Sequence, residues 1–238
     1  DSGEATHYHL DWLGELTYRP TPDIMTYGKV STGYISGGDF HGITFQQETM
    51  TQAEVGAKAD LLDKRLRTNL AWYWSDFRNF QAFSFVASQC AGQISCIINY
   101  GAEQIYGGEA EITAIPTENI SLSANLGYTH TAYSPVPSGL APAALQLTPE
   151  WTIGLSGEYD FSQSILGGRP SIQVDGNYVT DLHFLPPGSA FPLYSTLTLP
   201  SRWVFDARAT LADIPVGPTT ASVSLWAKNM FDERYFSF

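Results

Sequence analysis

Histidine and cysteine are the residues of this chain best able to do chemistry, and there are few of them: five His and two Cys in 238 residues. His7 and His9 fall on one strand face with Asp11, in "HYHLD". That spacing could bind a metal, but polar residues facing water inside a barrel are the favoured reading, and no metal site is expected. His183 follows Asp181 and Asp175, the place to look for an Asp/His hydrolytic centre. Cys90 and Cys96, in "CAGQISC", fit a short disulfide in an oxidising compartment, with two free thiols as the alternative. Two thiols without a nearby His make a poor zinc site. No Gly-x-Ser-x-Gly elbow precedes a helix, and no Walker or Rossmann fingerprint is present, so no catalytic residue and no cofactor is expected.

The composition narrows the partners. Only 15% of residues are charged, against roughly 25% in ordinary soluble proteins. The formal charge of −12, with no basic run, argues against nucleic acid. No stretch of 18 apolar residues exists that could span a membrane as a helix. The opening "DSGEATHYHL" has neither the basic start nor the apolar run of a signal peptide, so an exported protein would here be represented by a mature or internal chain.

The elements that must position these residues are strands. In residues 120–129, Ile120, Leu122, Ala124, Leu126 and Tyr128 oppose Ser121, Ser123, Asn125, Gly127 and Thr129. Residues 53–61, 151–161, 171–184 and 202–213 split in the same way, which a strand explains and a helix does not. With less regular segments at 7–19, 23–35, 65–77, 104–115 and 219–229, the chain reads as ten strands. Residues 23–35 run out of phase at Met25, Tyr27 and Val30, which predicts a bulge there.

Short connections at 19–23, 61–65, 116–119, 161–169 and 214–218 alternate with long ones at 35–48, 78–103, 132–149 and 185–200. That rhythm describes an up-and-down meander with every long loop at one end, as in outer-membrane barrels. Lipid permits only helices or closed barrels, because unpaired backbone groups are too costly there. A soluble lipocalin-like barrel is the competing reading. Its outer surface would have to be the Gln-, Asn-, Ser- and Asp-rich face, which suits a hydrated lumen better.

The stretch "WAKNMFDERYF" resembles the penultimate-strand signature of TonB-dependent outer-membrane receptors, matched at Asn229, Phe231, Asp232 and Tyr235, with Met230 where Leu is commoner. Residues 15–40, 53–81 and 106–133 are similar to hairpins of the same family, so the resemblance covers essentially the whole chain. It implies an all-β, antiparallel transmembrane barrel of the 22-stranded type, of which residues 1–238 form a ten-strand partial barrel domain. The family's N-terminal plug, the box read by the TonB complex and one further strand after the signature are then expected outside this chain.

The implied function is active uptake of an iron–siderophore complex or another scarce nutrient. Its partners would be outer-membrane lipid, a small ligand such as a ferric siderophore, and the TonB complex acting through the plug. Long loops would be extracellular and short turns periplasmic. The substrate contacts would come from loop aromatics, Phe40, His41, Phe83, Phe85 and Tyr194, whose rings can stack on flat ligands. The acidic row Glu109, Glu111, Glu158, Asp160 and Asp175 would seek partners in Arg67, Arg202 and Arg208. The alternative is a self-contained ten-stranded outer-membrane enzyme resembling the omptin proteases, which would pair its first and last strands.

Overall fold

The computed structural model describes residues 9–84, 88–99, 101–133, 147–183 and 198–235. Ten strands form one antiparallel sheet. They are β1 (Leu13–Thr21), β2 (Ile24–Ile35), β5 (Glu48–Leu61), β6 (Leu66–Arg78), β9 (Ala102–Thr117), β10 (Ile120–Tyr133), β11 (Trp151–Asp160), β12 (Arg169–Val179), β15 (Arg202–Val216) and β16 (Thr219–Ala227). They lie side by side in chain order, with β1 and β16 at the two edges. This is the expected meander. The sheet is open: β1 does not pair with β16, as a self-closing ten-stranded barrel would require.

Three further hairpin arms sit in the long connections. They are β3 (Gly38–Phe40) with β4 (Ile43–Phe45), β7 (Gln81–Ser84) with β8 (Cys96–Asn99), and β13 (Leu182–His183) with β14 (Thr198–Leu199). The segment 171–184, expected as one strand, is therefore β12 followed by β13.

The bulge expected in residues 23–35 is not there. β2 pairs with β5 in unbroken register from Ile24↔Ala59 to Ile35↔Glu48. Tyr27 belongs to the polar face, where its hydroxyl donates to Glu54 at 2.7 Å, so the phase only looked broken. The register shift lies instead in β1, between Tyr18 and Thr21, beside the turn.

The sheet has two unlike faces and almost no buried apolar core. Cys90, Cys96 and Leu199 are the buried apolar residues among those described. One face exposes large apolar side chains, from Leu16 (78% exposed) through Val55 and Leu155 to Leu225 (74%). Near the long-loop end of that face the side chains turn aromatic. Trp72, Trp74, Tyr106, Tyr128 and Trp151 form a continuous row, with ring centroids 4.6–6.5 Å apart. Tyr178, Trp203 and Phe205 carry the row across β12 and β15.

Gly107 and Gly108 on β9 make the row possible. A Cβ on Gly108 would lie 2.8 Å from the Trp72 ring, and one on Gly107 would lie 2.6 Å from the Tyr73 hydroxyl oxygen. Without them Trp72 reaches across β9 to Tyr128 on the apolar face. On the other face Tyr73 reaches Thr129, hydroxyl to hydroxyl, at 3.0 Å. Two adjacent glycines thus let β6 touch β10 over the strand between them.

Candidate binding face and loop cluster

The polar face is a ladder of hydrogen bonds and ion pairs. Lys29 on β2 meets Glu54 on β5 at 2.7 Å. Arg67 on β6 holds both carboxylate oxygens of Asp60, at 2.7 and 3.3 Å. The Asn69 amide donates to Glu111 at 3.0 Å, and Gln173 donates to Asp175 at 3.0 and 3.1 Å. Arg67 therefore serves Asp60 rather than the acidic row expected to claim it. Arg202 lies over the Tyr235 ring, 4.8 Å from its centroid. Arg208 lines a cavity of about 250 Å³ together with Glu158 and Asp160.

At the long-loop end, strands β5, β6 and β9 continue beyond the aromatic row. Glu103 is three residues past Tyr106, about 10 Å further at the usual strand rise. The β3–β4 and β7–β8 arms pack over this end. The Asn99 amide donates to the carbonyls of Gln46 and Asn79, and the Gln81 amide side chain donates to those of Ser36 and Gln46. Beneath them Glu48 is 5% exposed and Glu103 1%. Glu48 accepts the Gln81 backbone N–H at 2.7 Å. Neither oxygen of Glu103 has a hydrogen-bond partner among the described residues. Burial raises the Glu48 carboxyl against the opposing Gln81 hydrogen bond. Burial, helped by the Glu48 charge, pushes Glu103 up to about 8, so it is held protonated at neutral pH.

The loop aromatics come together in part. Phe40 lies 4.2 Å from His41 and meets Phe83 edge-on at 5.8 Å. Phe85 and Tyr194 lie outside the described residues, as does His7. His9 stacks on Tyr34 at 4.7 Å and sits 3.2 Å from Asp11. Among the described residues no group of three or more His, Cys, Asp and Glu could hold a metal. Cys90 and Cys96 are joined in a disulfide, fully buried, which closes the outer part of the β7–β8 arm.

A cavity of about 500 Å³ opens above the loop end of β11, lined by His130, Thr148, Glu150, Asp181, His183 and Ser201 among others. Among the described residues, no hydrogen bond or ion pair joins Asp181 to His183. The Asp181 carboxylate accepts the Ser201 backbone N–H, and His183 Nδ1 lies 3.1 Å from the Thr198 hydroxyl. Asp175 is six residues down the polar side, about 20 Å away along the chain.

The residues of "NMFDERY" fold back on the sheet. Asn229 adopts a left-handed φ of 50°, which Asn tolerates better than most residues. Its side chain donates to the Glu233 carbonyl and accepts the Glu233 N–H, both at 2.8 Å. Its own N–H donates to Asp206 at 2.7 Å, and Phe231 packs edge-on against Phe205 at 5.5 Å. This stretch ends β16 and pins the chain beyond it to β15; its work here is structural.

Sequence reasoning passed over Glu48, Glu103 and Glu150. Carrying the alternation of β9 upward past Tyr106 would have put Glu103 on the polar face. Its burial, beside Glu48, is a tertiary feature that no local pattern announces.

The profile of the family described as "TonB dependent receptor-like, beta-barrel" matches residues 6–230. The chain is 24% identical over 225 residues to the metal-pseudopaline receptor CntO of Pseudomonas aeruginosa, covering 93% of this chain and 29% of that protein. Its fold is similar to the ferric-catecholate import receptor Fiu of E. coli K12, with a TM-score of 0.68 and 19% identity over 94% of this chain and 31% of that one. It is similar also to the FrpB iron transporter of Neisseria meningitidis, with a TM-score of 0.71 and 17% identity over 94% of this chain and 35% of that one. The chain thus spans about three-tenths of the length of the relatives it matches. The two-faced meander, the aromatic row and a match over nearly all its residues agree: the chain belongs to the TonB-dependent receptor-like β-barrel family.

Proposed function

We propose that the chain builds part of the wall and mouth of an outer-membrane receptor that imports a scarce metal chelate. The apolar face meets lipid, the polar face lines the lumen, the long loops are extracellular and the short turns periplasmic. Along β10 the apolar face runs over nine residues, Ile120 to Tyr128, within the ~9–11 with which a tilted transmembrane strand crosses a bilayer. The observation that carries the reading is the polarity of the sheet. An exposed apolar face, an aromatic row at one edge and a hydrogen-bonded polar face have no use in a soluble sheet of this size.

Substrate contacts fall to the loop end, where Phe40, His41 and Phe83 cluster. Phe85 and Tyr194 are candidates by sequence for the same surface. Energy would reach the barrel from the TonB complex through a plug encoded outside this chain, and further strands would pair with the free edges of β1 and β16. The test is uptake of radiolabelled ferric chelates by metal-starved cells with and without the gene. Loss of uptake on deletion, restored by the gene and abolished when the proton-motive force is collapsed, is the expected result. Uptake indifferent to the gene for every chelate and metal tried would sink the proposal.

A further inference from the structure

The charge of the loops speaks to the class of chelate. All twelve Lys and Arg of the chain lie on the sheet strands, in the short turns or after β16. The four long connections, residues 36–47, 79–101, 134–149 and 180–201, contain not one of them. The same end of the sheet carries exposed carboxylates: Asp39 in the first connection, Glu150 at the foot of the third and Asp181 in the fourth. Two arginines border these loops: Arg202 lies over the Tyr235 ring, with one buried guanidinium nitrogen lacking a hydrogen-bond partner among the described residues, and the largely exposed Arg78 is 4.0 Å from Asp76.

What these loops do offer is aromatic and neutral. Phe40 and Phe83 meet edge to face, with Phe83 half exposed. The 500 Å³ cavity is lined by Thr129, Thr148 and Ser201 beside His130, which sits 3.3 Å from Glu150. A ligand bearing several negative charges would find no cationic side chain in these four loops and three carboxylates nearby. Like charges in a mouth of this kind repel at long range and slow encounter as well as weaken binding.

Resting on the receptor reading above, we propose that the mouth built by this chain selects chelates without net negative charge, uncharged or cationic, held by aromatic faces and neutral hydrogen-bonding groups.

The test uses the native receptor that carries this chain, purified in detergent, and three ferric probes at pH 7. These are a tris-catecholate of net charge −3, an uncharged trihydroxamate and a monocationic trihydroxamate, with binding followed by quenching of the intrinsic tryptophan fluorescence. The uncharged and cationic chelates are expected to bind at least about tenfold more tightly than the trianion at 0.15 M salt, with a wider gap at low salt. Glu150→Lys and, in a separate loop, Asp39→Lys should each narrow that gap several-fold, and Glu150→Gln less. If the trianion binds as tightly as the other two, or more so, the inference is overturned. If none of the three binds, the ferric-chelate reading fails and the inference falls with it.

Discussion

Glu103 is the residue whose behaviour is hardest to mimic by accident. Its carboxyl is buried, lacks a hydrogen-bond partner among the described residues and is pushed up to about 8 from 4.5. Between those two values the folded protein keeps a proton that the opened loop cluster releases, so stability falls as pH rises through that window and levels off above it. Protection of β7 and β8 amides, corrected for intrinsic exchange, should therefore decrease from pH 5 to pH 8, by an amount on the order of a few kcal/mol. Glu103→Gln should remove the slope; a slope that survives the substitution would place its source elsewhere. Asn229 offers a second test at this scale. Asn229→Ala loses two hydrogen bonds and a residue type that tolerates φ of 50°, and should loosen residues 229–235 by about 1–3 kcal/mol. Asn229→Asp keeps the acceptor for the Glu233 N–H and should lose less, which limited proteolysis of the C-terminal stretch can rank. Asn229 was legible in the sequence as a family signature, although not as a reciprocal clamp. Glu103 was not legible, because its burial comes from tertiary packing that its own strand's alternation does not record.

At the scale of the element, alternation carries most of the fold. Five of the ten sheet strands announce themselves by a clean period 2 and the other five less regularly, as follows from one apolar and one polar face. The exceptions obey the same rule. Tyr27 broke the pattern only because an aromatic was assigned to the apolar side, when its hydroxyl in fact serves Glu54. The β3–β4, β7–β8 and β13–β14 arms are two to four residues per strand, too short for a period to register. Gly107 and Gly108 are the element-level prediction. Gly108→Val should drive Trp72 away from Tyr128, and Gly107→Ala should break the Tyr73–Thr129 contact, each destabilising the β6–β9–β10 unit by about 1–3 kcal/mol. Tryptophan emission should shift more with Gly108→Val, whose side chain meets the Trp72 indole, than with Gly107→Ala, which meets the Tyr128 carbonyl oxygen and the Tyr73 hydroxyl.

For the whole molecule the open edges decide most. β1 and β16 each present a row of backbone N–H and C=O groups directed away from their one partner, at the height where the sheet meets lipid. An unpaired edge there costs several kcal/mol per group, and barrels exist because closure removes it. The chain spans about three-tenths of its relatives' length; on the proposed receptor reading, the neighbours of β1 and β16 belong to the rest of a larger barrel rather than to each other. The expectation is specific. In the native protein the outward amides of Leu13–Thr21 and Thr219–Ala227 should exchange as slowly as those of the central strands β9 and β10. In residues 1–238 expressed alone they should exchange fast, and the isolated chain should aggregate without detergent through those same edges. Hydrogen-exchange mass spectrometry of the two proteins separates the cases. Equal, slow exchange of both edge strands in the isolated chain would mean that the ten strands close on themselves, and the larger-barrel reading would have to be given up.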